Sequence, residues 1–441
     1  MTAVKRIALW ALVSAVLLGL APGQSSSQRR KGAVKHRVPV EDDRTASLIT
    51  KAETAIEKRD FATAEPLLRE AVQAGPQDFR AWFDLGFVLN ATGRSAEAVE
   101  AYRKSVAANP KVFESNLNLG VVLAEAKDPE AEKYLRAATQ LKPAANVNEG
   151  LKRAWLALGR VLEAKNAAGA LAAFAEATKL QPNDPDPHLS AGALLEQQNR
   201  LFEAEKEYRQ AAQLDPKNAD AVVGLVNVYQ KAGRLAEAEA ALRQYLALEP
   251  QNAAAHFQLG RVLLKNHKRV EAIAAYEAGL KLTPDDASAQ RELAWLYDVG
   301  NEHAKAETMY RALLQRNPND AAARAGLGSA LLHLRKPQVA LNELLAAVKL
   351  DPKLGEAYGD LAIAASQNKN YELTVKALDA RAQLLPETPA TYFLRATAYD
   401  NLHLTKEAAA NYRRFLEAAD GRFPDQEWQA RHRLIAIEPT K

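Results

Sequence analysis

The side chains of this 441-residue chain that can do acid-base, nucleophilic or metal chemistry are few in kind: eight histidines, ordinary numbers of acids and bases, and no cysteine. His303 stands four residues before Glu307, a spacing that shares one helix face. A zinc-type site needs three or more ligands, and this pair has no third in view, so neither a metal nor a cofactor is expected. His267 and His403, like His303, fall at or near turns, whereas His188 and His256 take the fourth place of a repeated block and read as packed rather than reactive. There is no glycine-rich phosphate loop, Gly-x-Ser-x-Gly elbow or His-Glu-x-x-His pair, and no thiol nucleophile. With no catalytic constellation, the expectation is a protein that is not an enzyme.

The elements that must position whatever works here are announced by prolines. Pro76, Pro110, Pro143, Pro182, Pro216, Pro250, Pro284, Pro318, Pro352 and Pro386 recur at intervals of 34, with one of 33 and one of 39. Such a beat means one small unit copied many times, which builds an extended surface rather than a central pocket. Eleven blocks start near Thr45, Phe79, Phe113, Lys152, Pro185, Ala219, Ala253, Ala287, Ala321, Gly355 and Pro389. Within a block, apolar residues recur at helical spacing twice, as in Ala81–Ala91 and again from Ala96 to Val106, on either side of Thr92-Gly93-Arg94. Each block is therefore a helical hairpin. The proline ends the second helix because it lacks an N–H donor, and Asp78, Asp184, Asn218, Asn252, Asp286 and Asp320, two residues later, are placed to cap the next first helix. Val112 and Leu354 hold that place without a capping side chain.

Two positions demand small residues. The eighth is Gly or Ala in every block except for Val226, and the twentieth is Ala in every block except for Thr374. This pattern, with Trp82, Leu85, Gly86, Leu89, Ala98, Tyr102 and Pro110 as its fullest copy and Leu259, Gly260, Leu263, Ala272, Tyr276 and Pro284 as another, resembles the tetratricopeptide repeat. The resemblance covers about nine tenths of the chain. It implies an all-α fold, an α-solenoid superhelix of about eleven helix-turn-helix repeats, here spanning residues 45–424, with residues 425–441 as a C-terminal capping helix and tail.

The same resemblance implies that partners bind on a concave face lined by the fifth and ninth positions of the first helices. Those places hold Phe83, Phe87, Leu117, Val121, Arg160, Asn227, Phe257, Arg261, Arg291 and Trp295. The early members are apolar; the later arginines offer donors to the carboxylates or carbonyls of an extended peptide. The plainer alternative for any one apolar member is packing between neighbouring first helices. The Lys/Asn pairs of carboxylate-clamp relatives are absent, since Phe83 with Phe87 and Leu117 with Val121 stand in their place, and so is the asparagine ladder of glycosyltransferase-associated arrays.

Irregularities are expected at three places. Residues 144–150 add length ahead of Trp155 and either extend that helix or loosen the stack; Pro66 falls inside a second helix; and Asp425 to Ile437 read as a closing helix over the apolar end of the array, with Arg431 and Arg433 on its polar side.

The first 23 residues read as an export signal. Lys5 and Arg6 precede the apolar run Ile7–Leu20, and Ala21-Pro22-Gly23 supplies small residues for cleavage; an uncleaved N-terminal anchor is the alternative. Residues 24–44 form a basic tether carrying Arg29-Arg30-Lys31, expected to be flexible. From Glu41 onward there are 51 basic against 54 acidic residues, so the array lacks the positive excess that nucleic acid demands, and membrane contact is expected only through an uncleaved anchor. The sequence thus predicts a periplasmic or secreted, non-catalytic scaffold that binds partner proteins or extended peptides. The competing prediction is an accessory subunit of an envelope or polysaccharide assembly machine.

Overall fold

The structure is a computed structural model that describes residues 41–437. The proposed signal and most of the tether lie outside the described residues. Helix α1 begins at Glu41, four residues ahead of the array start expected at Thr45.

The described residues form 23 α-helices in two compact units, one ending at Gln244 and the other beginning at Tyr245. In the first unit the repeats are α1 (Glu41–Glu57) with α2 (Phe61–Ala74), α3 (Phe79–Ala91) with α4 (Ser95–Ala108), α5 (Phe113–Glu125) with α6 (Ala131–Thr139), α7 (Val147–Leu162) with α8 (Ala167–Leu180), and α9 (Asp186–Gln197) with α10 (Leu201–Leu214). Helix α11 (Ala219–Lys231) follows, and α12 (Leu235–Leu248) carries the chain past Gln244. The second unit continues with α13 (Ala253–Lys265) and α14 (Arg269–Leu282), α15 (Ala287–Val299) and α16 (His303–Arg316), α17 (Ala321–His333) and α18 (Pro337–Leu350), then α19 (Gly355–Gln367) and α20 (Tyr371–Ala382). Helices α21 (Pro389–Asn401), α22 (Thr405–Ala419) and α23 (Pro424–Ile437) complete it. Eleven hairpins and one closing helix make an all-α solenoid of repeats, as the spacing predicts.

The small positions have a direct cause. A Cβ on Gly86 would lie 2.7 Å from the Tyr102 ring, and one on Gly159 would overlap the Phe174 ring, so in these repeats the large residue in the middle of the second helix rests on the bare backbone of the first. Ala98, Ala170, Ala204, Ala272 and Ala340 at the twentieth position are fully buried, and the exceptional Thr374 is too, its hydroxyl satisfied by the Asn370 carbonyl at 3.0 Å. Asp78, Asn218, Asn252, Asp286 and Asp320 each accept an N–H of the following helix, while Val112 and Leu354 make no such bond. Asp184 is displaced from the role: α9 starts after Pro185, and the carboxylate takes the Asp186 N–H and the Lys152 ammonium instead.

Two features of the repeat were not read from sequence. First, the fourth position carries a side-chain N–H aimed at the carbonyl of the preceding beat proline: Trp82 to Pro76 at 2.9 Å, Asn116 to Pro110 at 3.0 Å, His256 to Pro250 at 3.1 Å, Gln290 to Pro284 at 2.6 Å and Arg324 to Pro318 at 3.0 Å. A carbonyl at a helix end lacks an intrahelical partner, and this donor supplies one. Second, one residue in the turn of nearly every hairpin is left-handed, at Arg59, Gly93, Lys127, Asn199, Gly233, His267, Asn301, Arg335, Lys369 and His403. Only two are glycine, so the remaining turns hold a non-glycine residue in a costly conformation because the helices on both sides fix it.

The irregularities resolve locally. The added residues before Trp155 lengthen the helix: α7 has 16 residues, against 13 in α3 and α5, and packs on both α5 and α6. The short interval is accommodated in α6, which has only nine residues. Helix α2 runs unbroken through Pro66 and keeps the 14-residue length of α4. The closing helix buries Ala430 and packs Leu434 and Ile437 against the cluster that holds Tyr412 and Phe415, and Arg433 grips Asp400 with two bonds of 2.6 Å. Its other side exposes Trp428 and Ile435, so this cap is not polar outward.

Candidate functional site

First helices touch one another within each unit, α1 with α3, α5 with α7 and α9 with α11 in the first, and α15 with α17, α17 with α19 and α19 with α21 in the second. The side chains they turn away from the second helices line the candidate binding face.

The ten predicted lining residues separate into four groups. Leu117 and Phe257 are corrections: they are 4% and 7% exposed and belong to the core, Phe257 stacked on Tyr276 with ring centroids 5.8 Å apart. Phe83, Phe87, Val121 and Asn227 are half-buried, with Phe83 against Tyr102 and Phe87 edge-on to Phe61. Packing between helices therefore accounts for most of the apolar members. Arg291 is half-buried and its guanidinium pairs with Asp320 at 2.6 Å, and Asp320 is also the cap of α17. What remains in solvent is the ninth position of three repeats: Arg160 in the first unit, and Arg261 and Trp295 in the second, with Trp295 48% exposed. Ile363, the same position two repeats on, is 40% exposed and joins them.

Acids on this face escaped the sequence reading. Asp84 lies on α3 with its Oδ2 buried and without a hydrogen-bond partner, and burial pushes its carboxyl up to about 8, helped by Glu53 and opposed by Arg80. Burial likewise raises Glu53 itself. The Tyr102 hydroxyl beneath is buried and unpartnered too. In the second unit, burial pushes Asp360 on α19 up to about 6, against the hydrogen bond from Ser329 and the nearby His333. Asp84 and Asp360 share the sixth position of their repeats, the one signal that could have found them.

The histidines behave as packing predicts at two places: His188 bonds Glu207 at 2.7 Å and His256 bonds a proline carbonyl. His303 does not share a site with Glu307, whose carboxylate is taken by Arg311 and Lys336, each at 2.8 Å. Its partners lie elsewhere, on α15 and α17.

Comparison with known proteins agrees with the architecture. Residues 40–293, more than half of the chain, match the family model described as the Cilia and flagella-associated protein 70 C-terminal domain, and residues 291–355 match a tetratricopeptide repeat model. No curated protein matches the chain. Among solved structures, YrrB, "a TPR protein with an unusual peptide-binding site", is 24% identical over 42% of this chain and 95% of its own, with a TM-score of 0.38. Pseudomonas aeruginosa PilF is 23% identical over 48% and 94%, with a TM-score of 0.39, and yeast Tom70 is 14% identical over 90% and 96%, with a TM-score of 0.35. Eleven helical hairpins in series, with glycine or alanine at the eighth position of all but one, and family models running from residue 40 to residue 355 place this chain in the tetratricopeptide repeat family.

Proposed function

We propose that this protein is an exported, non-catalytic scaffold that holds extended segments of partner proteins along its first-helix face. The observation that carries this reading is the ninth position of the second unit, where Arg261, Trp295 and Ile363 face solvent at repeat spacing. An extended peptide offers a carbonyl or side chain at similar intervals, which suits a charged donor, an aromatic plate and an aliphatic contact.

The test is a photo-crosslinking residue at position 295 of the full chain in its native cells, with position 311 on α16 as the outer-helix control. Discrete protein adducts from 295 and none from 311 are expected. Equal adducts from both positions would remove the face from consideration, and retention on cell-wall glycan without protein adducts would favour the polysaccharide-assembly role. Export is tested by the amino terminus of the mature chain: it should begin at Gln24 in the extracytoplasmic fraction, whereas an intact Met1 in the membrane fraction would mean an anchor.

A further inference from the structure

At the turn edge of the second unit, three ligating side chains from three helices converge. Asp298 closes the last turn of α15, His303 opens α16, and His333 ends α17 one repeat later. The His303 Nδ1 lies 2.6 Å and the His333 Nδ1 3.1 Å from the same Asp298 oxygen, and the two imidazoles stack with centroids 4.4 Å apart. One ligand atom from each of the three lies within 4.8 Å of the others.

The equivalent positions of another repeat show what this edge does by default. Glu196 and Lys231 occupy the places of Asp298 and His333, and form an ordinary ion pair of 2.8 Å; the place of His303 is filled there by Leu201. In the repeats on either side of the cluster, the places of Asp298 and His303 hold Leu264 with Arg269 and Leu332 with Pro337. Among the described residues, only here does the pair become a set of two imidazoles and one carboxylate.

We propose that Asp298, His303 and His333 bind one divalent transition-metal ion of the zinc class. Two nitrogen donors and one oxygen suit zinc, cobalt or nickel and disfavour calcium and magnesium, which take oxygen ligands. Ligand atoms around a tetrahedral zinc stand about 3.3 Å apart, so the 3.1 Å contact already has the required spacing and the 2.6 Å contact must open by roughly 0.7 Å, a small side-chain adjustment. The ion takes the place of the protons between the imidazoles and the carboxylate: each histidine gives its Nδ1 lone pair and keeps its proton on Nε2. Asp298 is 6% exposed and anchors the site, while the half-exposed His333 leaves the outer side to water as a fourth ligand. Because His303 and His333 lie on successive repeats, the ion would pin one hairpin to the next.

The full chain, stripped with a chelator, should bind one equivalent of zinc by calorimetry. Cobalt should give the visible bands of a site with nitrogen ligands, and magnesium should not compete. H303Q and H333Q should each weaken zinc binding by at least about tenfold with helicity unchanged. Should H303Q fail to fold, H333Q decides, because its side chain is half in solvent. Absence of saturable zinc binding by the full chain overturns the proposal. So does unchanged affinity in a helical H333Q variant, which would place the ion on other histidines.

Discussion

Phe174→Ala lowers the stability of the fourth repeat by about 3–5 kcal/mol, the usual cost of removing a fully buried aromatic ring. Phe174 is 1% exposed and its ring fills the space over the bare backbone of Gly159, so its removal leaves a cavity that neither helix can collapse into without shortening their separation. Repeat arrays unfold in parts, so hydrogen exchange along α7 and α8 is the measurement to use beside a urea titration. Protection should fall most in those two helices; a uniform change of under about 1 kcal/mol would show that the ring is not the keystone of the repeat. The converse substitution, Gly159→Ala, gains about 1 kcal/mol of helix propensity but forces a methyl into the ring, with an overpacking cost of about 1–3 kcal/mol. The pair should therefore couple: Gly159→Ala should be less harmful when Phe174 is already leucine.

Asp84→Asn should stabilise the protein at neutral pH and leave it nearly unchanged near pH 4. The Asp84 carboxyl titrates at about 8 in the folded chain, against 3.8 for an ordinary aspartate. Between those values the folded state holds a proton that the unfolded state releases, so stability falls as pH rises, by up to about 1.4 kcal/mol per pH unit. At pH 7 the accumulated loss is on the order of 2–4 kcal/mol, and asparagine, which never ionises, is free of it. Urea midpoints of both proteins at pH 4 and pH 7 read this directly. A variant whose advantage does not grow between the two pH values would mean that Asp84 is solvated or paired when the chain is in solution. Below about pH 3 both states are protonated and the residue contributes no pH dependence.

The helices were legible from sequence because their determinants are local. A proline, a capping Asp or Asn two residues on, and a small residue at the eighth and twentieth places act within one hairpin or its neighbour, and they recur often enough to correct one another. The binding face was less legible. Leu117 and Phe257 share the position of Phe83, yet the neighbouring helices bury them more deeply, and Arg291 is held by an aspartate 29 residues away that was read only as a cap. The histidine cluster was missed for a similar reason. Spacing pairs His303 with Glu307 along one helix, while its actual partners are five and thirty residues distant, reached across a left-handed turn at Asn301 and across a repeat boundary. Spacing along the chain finds neighbours on one helix; it does not find those that stacking provides.

The bond from the fourth side chain to the proline carbonyl bears on where this array can be cut. The proline closes one hairpin and the donor opens the next, so the latch straddles the border that helix ends alone would mark. A fragment starting at Phe79 keeps Trp82 but leaves its acceptor behind, whereas one starting at Pro76 carries donor, acceptor and the Asp78 cap together. The transferable module therefore begins at the proline, three residues upstream of the helix, and an indole, a carboxamide, an imidazole or a guanidinium can each serve as its clasp by presenting an N–H.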